Sequence, residues 1–134
     1  MVQEAYGAQR SKKIIQYNME IKIVKDSISR KELVDMAKKQ FGNLLKAVVD
    51  LEQGIMALAG EMHADEEVVL IEQENSKREH TWGINIYPEK NGEELIEFDS
   101  IINIKPSYGN RSRDVENPET KEKIKIVVNK LIKE

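Results

Sequence analysis

The chain has 134 residues, with 21 Lys+Arg against 24 Asp+Glu and a formal net charge of −3. It contains no cysteine, which excludes disulfide frameworks, thiol nucleophiles, thiolate zinc sites and iron–sulfur clusters. Its longest apolar run, IMALA at 55–59, is too short to span a bilayer or to form a signal-peptide core.

Residues 1–18 stand apart, with Arg10, Lys12 and Lys13 against the single acid Glu4 and no sustained apolar period. They read as an N-terminal extension, either flexible or a non-native start, ahead of one globular domain over 19–134. Without their charges the domain keeps 18 of the 21 basic and 23 of the 24 acidic residues, a net of −5. That acidity argues against a protein that coats nucleic acid, while leaving room for a local basic patch.

The domain opens on a strand-like alternation, Glu20-Ile21-Lys22-Ile23. Ser29-Arg30-Lys31-Glu32 is a capping box, followed at helical spacing by Leu33, Met36, Ala37 and Phe41, with Gly42 as a stop. Residues 44–51 and 55–59 read as a hairpin closed by a three-residue loop, Glu52-Gln53-Gly54. Acids at 65–67 suit a first helical turn, so the apolar run Val68-Val69-Leu70-Ile71 is taken as helix.

Trp82, Ile84 and Ile86 share one face of the next strand, and Ile96, Phe98, Ser100, Ile102 and Ile104 one face of its successor. Those faces coincide only if paired residue numbers sum to an even value. A loop of Lys90-Asn91-Gly92, with Gly92 in the left-handed region, meets that condition. After a polar loop over 105–117, Asn117-Pro118 starts a final helix with an apolar stripe at Ile124, Val127, Val128 and Leu131. The order β-α-β-β-α-β-β-α predicts an α+β fold: a mainly antiparallel sheet of about five strands with three helices.

Three segments carry polar residues beyond what such a fold needs. Glu61, His63 and Asp65 alternate, so an extended backbone would project them together. A carboxylate beside an imidazole is the arrangement of a general base. The plainer reading is a polar helix entrance. Two histidines, with His80 distant, give no metal-type spacing, and neither a metal nor a cofactor is expected.

The second segment, Lys105-Pro106-Ser107-Tyr108-Gly109-Asn110-Arg111-Ser112-Arg113, gathers cations, hydroxyls and a glycine before a helix. Anion sites use that chemistry, although the glycine spacing matches neither a P-loop nor a dinucleotide fingerprint. The competing reading pairs Arg111 or Arg113 with the stretch 61–74, which has six acids and no Lys or Arg. The third segment is the odd-numbered face Thr81, Asn85, Tyr87, Glu97, Asp99, Asn103 and Lys105. It reads first as the solvent face of an antiparallel sheet. If it holds a pocket, Asn85, Asn103 and Arg111 line it.

In order and with short gaps, FGNLLKAVVDLEQGIMALAG, GEMHADEE, WGINIYP, IEFDSIINIKP and GNRSR resemble an uncharacterised family of small bacterial and archaeal proteins. The resemblance covers most of residues 20–133 and implies a stand-alone intracellular, cytoplasmic domain. It brings no activity, ligand or catalytic residue.

The leading expectation is therefore a binding or regulatory module that takes a small anionic ligand or an acidic partner through Asn110, Arg111 and Ser112. The rival is a small hydrolase or nuclease. There His63 is the base, Glu61 or Asp65 orients it, and Arg111 steadies negative charge. A protein-interaction module is the third reading, and self-association is left open.

Overall fold

The structure, a computed structural model, describes residues 21–134; the expected extension over 1–18 lies outside the described residues. In chain order the elements are β1 (Lys22–Val24), β2 (Ile28–Ser29), α1 (Arg30–Gln40), β3 (Leu45–Asp50) and β4 (Ile55–Leu58). There follow α2 (His63–Glu74), β5 (Thr81–Ile86), β6 (Ile96–Glu97), α3 (Pro118–Leu131) and β7 (Ile132–Lys133). Five strands form one antiparallel sheet in the order β1-β4-β3-β5-β6, as an α+β reading with three helices requires. Two-residue strands β2 and β7 add a separate parallel pair joining the entrance of α1 to the exit of α3.

The helix starts follow their capping chemistry. Ser29 Oγ accepts the Glu32 N–H at 3.1 Å. Asn117 Oδ1 accepts from Glu119 and Thr120, with Pro118 at the first helical position. The α1 residues Leu33 and Ala37 and the α3 residues Ile124, Val128 and Leu131 pack on Leu45, Ala47, Val49, Trp82, Ile84 and Ile86. Each large aliphatic side chain fully buried there contributes roughly 1.5–3 kcal/mol of transfer free energy.

The opposite face is not the solvent face that alternation predicts. Val69 and Leu70 of α2 cover it, packing on Val48, Ile55 and Ala57 together with Ile102. Thr81, Asn103 and Lys105 are consequently buried, and Asn85 is only 9% exposed. Central strand β3 lies between two apolar layers.

Both hairpins keep their expected sense and differ in detail. The first has a four-residue loop, because Asp50 pairs with Ile55 and its carboxylate accepts the Glu52 and Gln53 N–H groups. Gly54 there adopts φ +68°. In the second, Asn85 pairs with Glu97 and Gly92 adopts φ +58°, so the even-sum register holds across a longer connection.

The expected strand through Ile104, however, stops at Glu97. Ser100 Oγ accepts the Ile102 N–H and turns the chain into a short helical turn at Ile101–Asn103. Asn103 then continues the ladder with its side chain: Oδ1 accepts from Gly83 N at 2.8 Å, and Nδ2 donates to Gly83 O at 2.9 Å. Gly83 is required for this close approach, since a Cβ would lie 2.5 Å from Ser100 Oγ.

Candidate functional site

At the Thr81 end of β5, the polar groups satisfy one another. Lys105 Nζ donates to the carbonyls of Arg78 and Thr81 and sits 3.9 Å from the centroid of the Trp82 ring. Burial brings its ammonium down to about 8, against the opposing pull of Glu67. Glu67 accepts from Arg78 Nη1 at 3.0 Å and Thr81 Oγ1 at 2.6 Å. Beside them, the buried Asp50 carboxylate accepts from Ser76 Oγ at 2.6 Å and Gln53 Nε2 at 2.8 Å.

The anion loop forms and holds a carboxylate of its own chain. Asn110 is buried, donating to the carbonyls of Asn103, Ser112 and Asp114 and accepting from Glu116 N. Glu116 Oε2 accepts the Arg111 N–H at 2.9 Å. The Ser112 side chain, then the Arg111 N–H, hold the Glu116 carboxyl below its ordinary range. Arg111 projects its guanidinium into solvent, while Arg113 pairs with Asp99 at 2.6 Å rather than with the 61–74 acids. The arginine that meets that stretch is Arg78, on Glu67.

The other end of the sheet gathers the end of α1, the start of β3, the end of β4, the start of α2 and the end of β5. Helix α2 begins at His63, so Glu61, His63 and Asp65 do not form the side-by-side row of an extended segment. Glu61 is exposed and Asp65 half-buried in the first turn. His63 turns inward, with Nε2 2.7 Å from Ile84 O. A carbonyl only accepts, so Nε2 carries the proton and Nδ1 keeps its lone pair. Burial pushes the imidazole below its ordinary 6.5, opposed by the Ile84 hydrogen bond; the charges of Lys46, Asp99 and Arg113 act more weakly. Arg111 is not among the charges acting on it.

Glu66, one turn along the same helix face, is fully buried. Its Oε2 accepts the Gly60 N–H at 2.9 Å, and desolvation raises its pKa well above the ordinary value, favouring the protonated carboxyl. Gly60 is needed because a Cβ would approach Glu66 Cγ to 2.7 Å. Just before it, Ala59 is held at φ +70°, a left-handed conformation costing a residue with a Cβ about 1–2 kcal/mol. The Gln40 side-chain amide donates to the Ala59 carbonyl. One peptide unit is thus gripped from both sides, by Gln40 on its oxygen and Glu66 on its nitrogen.

Among the described residues, three buried side-chain polar atoms lack a partner: Gln40 Oε1, Glu66 Oε1 and Asn85 Oδ1. All three belong to this end. Asn85 gives its Nδ2 to Glu97 at 2.8 Å and stands opposite Lys46 in the β3–β5 register. Lys46 Nζ lies 5.2 Å from the Phe41 ring centroid, and its charge also acts on Glu66.

Phe41 opens onto a cavity of about 520 Å³ lined also by Lys39, Gln40, Glu61 and Met62. A second, of about 310 Å³, is lined by Met36, Lys39, Gln40 and Ala59. Of the residues singled out from sequence, Glu61, His63, Asp65 and Asn85 reach this end. Asn103 is committed to Gly83, and Asn110 and Ser112 to their own loop. Gln40, Ala59 and Glu66 were not foreseen as site residues. Among the described residues no cluster of three His, Asp or Glu side chains is arranged to hold a metal ion.

Residues 22–131 match the family described as Protein of unknown function (DUF5674). The chain belongs to this family. The match covers the motifs that carried the resemblance, and the family description names no activity. No curated protein and no solved structure matches the chain. None of the described helices is long and apolar enough to cross a membrane.

Proposed function

We propose that this chain is a small-molecule-binding domain, with its site where α1 ends and α2 begins, and that its ligand presents N–H or O–H donors. The observation that carries this reading is the gathering of two unpartnered buried acceptors, Gln40 Oε1 and Asn85 Oδ1, at one end of the sheet, beside the unpartnered Glu66 Oε1 of a carboxyl whose burial favours the protonated form. A buried acceptor without a donor costs roughly 1–3 kcal/mol, and a bound donor recovers it. The adjoining cavity falls in the range of small-molecule sites, about 300–1,000 Å³, and mixes apolar with polar walls. This replaces a small anion at Asn110, Arg111 and Ser112, because Glu116 already takes the donors of that loop. We read the domain as cytoplasmic, since a cysteine-free chain gains nothing from an oxidising compartment.

Acid–base chemistry at His63 is the second reading, favoured by its fixed tautomer and the nearby Asp99–Arg113 pair. It has no carboxylate bonded to Nδ1.

A thermal-shift screen separates the readings. Neutral amides, amines, amino acids and nucleobases are run beside phosphate and dicarboxylates, on wild type, Gln40→Met and Arg111→Ala. At 100 times Kd a ligand adds about 2.7 kcal/mol of stability. Stabilisation by donor-bearing compounds, lost in Gln40→Met and kept in Arg111→Ala, is the expected outcome. Stabilisation by anions alone, lost in Arg111→Ala, would overturn it.

A further inference from the structure

The cavity at the end of α1 has a mixed electrostatic signature that narrows the ligand class. Lys39 and Glu61 both line it, with Gln40 also in its wall. Neither charged side chain forms an ion pair among the described residues, although eight other Lys and Arg side chains do. A simple anion would meet Lys39 and be opposed by Glu61. A simple cation would meet Glu61 and be opposed by Lys39 and by Lys46 nearby. A molecule carrying both charges a few ångströms apart meets neither opposition.

The rest of the lining is apolar. Phe41 and Met62 are 45% and 57% exposed, large for apolar side chains, and both face this one cavity. Met36 and Ala59 line the adjoining space. An ammonium supplies the N–H donors that Gln40 Oε1 lacks, and a short aliphatic or thioether side chain covers Phe41 and Met62.

We infer that the ligand is a free α-amino acid with an apolar side chain. Its carboxylate sits on Lys39, its ammonium on Glu61 and Gln40 Oε1, and its side chain against Phe41, Met62 and Met36. The inference rests on the small-molecule reading above and names the substrate class of that same site.

Calorimetric titration of the full chain tests it, with L-leucine and L-methionine as probes. N-acetyl-L-leucine lacks the ammonium, L-leucinamide lacks the carboxylate, and adenine serves as a neutral donor-bearing control. Leucine or methionine binds, and each derivative binds at least tenfold more weakly than leucine. Lys39→Met then removes the preference for leucine over leucinamide, and Glu61→Gln the preference over N-acetyl-leucine. Both side chains are exposed, so the variants retain the fold. Equal binding of leucine and both derivatives overturns the inference. Binding of adenine in a Gln40-dependent way, without either amino acid, overturns it too and leaves the small-molecule reading standing. No binding by any probe, together with a silent thermal-shift screen, sinks both.

Discussion

The two ends of the sheet use similar polar residues to opposite effect. Around Thr81 the side chains of Asp50, Glu67, Lys105 and Asn110 are buried and fully partnered. Around the start of α2, Gln40, Glu66 and Asn85 each bury an oxygen without a partner, beside a left-handed alanine and a cavity. Complete pairing stabilises and closes an edge; incomplete pairing costs stability and leaves buried groups that a bound molecule could satisfy. The difference separates scaffold from proposed site within one domain whose residues are of the same types at both ends.

The contrast breaks most sharply at Asn103. Asn103→Leu strips partners from Gly83 N, Gly83 O and Arg113 O, which are all protein backbone groups. Urea unfolding should show a loss of about 3–5 kcal/mol, summed from roughly 1–3 kcal/mol per buried group left unpaired. Lys105→Met abandons two carbonyls and should cost about 2–3 kcal/mol by the same measurement. At the other end Gln40→Met loses one bond and removes one unmatched acceptor, so the net change stays below about 1 kcal/mol. Equal losses at both ends would erase the distinction.

The pH dependence sharpens it. Glu66 binds its proton more tightly in the folded chain than in the unfolded one, because burial raises its pKa. Its contribution is complete below the unfolded value near 4.5 and falls as pH rises toward the folded value. Glu66→Gln removes that slope, so its melting point should gain on wild type as pH rises above about 4.5 toward the folded value. A difference that does not change with pH would contradict the raised pKa. The smallest effect belongs to Glu116→Gln, at an exposed position. The melting point should hardly move, while phosphate acquires weak binding at Arg111 and Ser112, visible as amide shifts.

Much of the scaffold was legible in the chain. Ser29 and Asn117 mark their helices by capping chemistry, and the parity of Trp82, Ile84 and Ile86 against Ile96 sets the β5–β6 register. The break after Glu97 was not, since alternation continues through Ile104 and nothing local says that the Asn103 amide replaces a strand. Part of the proposed site was singled out in the chain as well. His63 and Asn85 stood out by type, whereas Gln40, Ala59 and Glu66 acquire their character only from contacts distant in sequence. A left-handed alanine and a desolvated glutamic acid have no signature in composition or period.

The most direct measurement is an amide chemical-shift map of the nitrogen-15-labelled chain titrated with L-leucine and L-methionine. The account predicts shifts concentrated at residues 36–46, 59–66 and 85–87, with the loop at 105–116 unmoved. Shifts centred on 105–116, with the α1–α2 end silent, would contradict it.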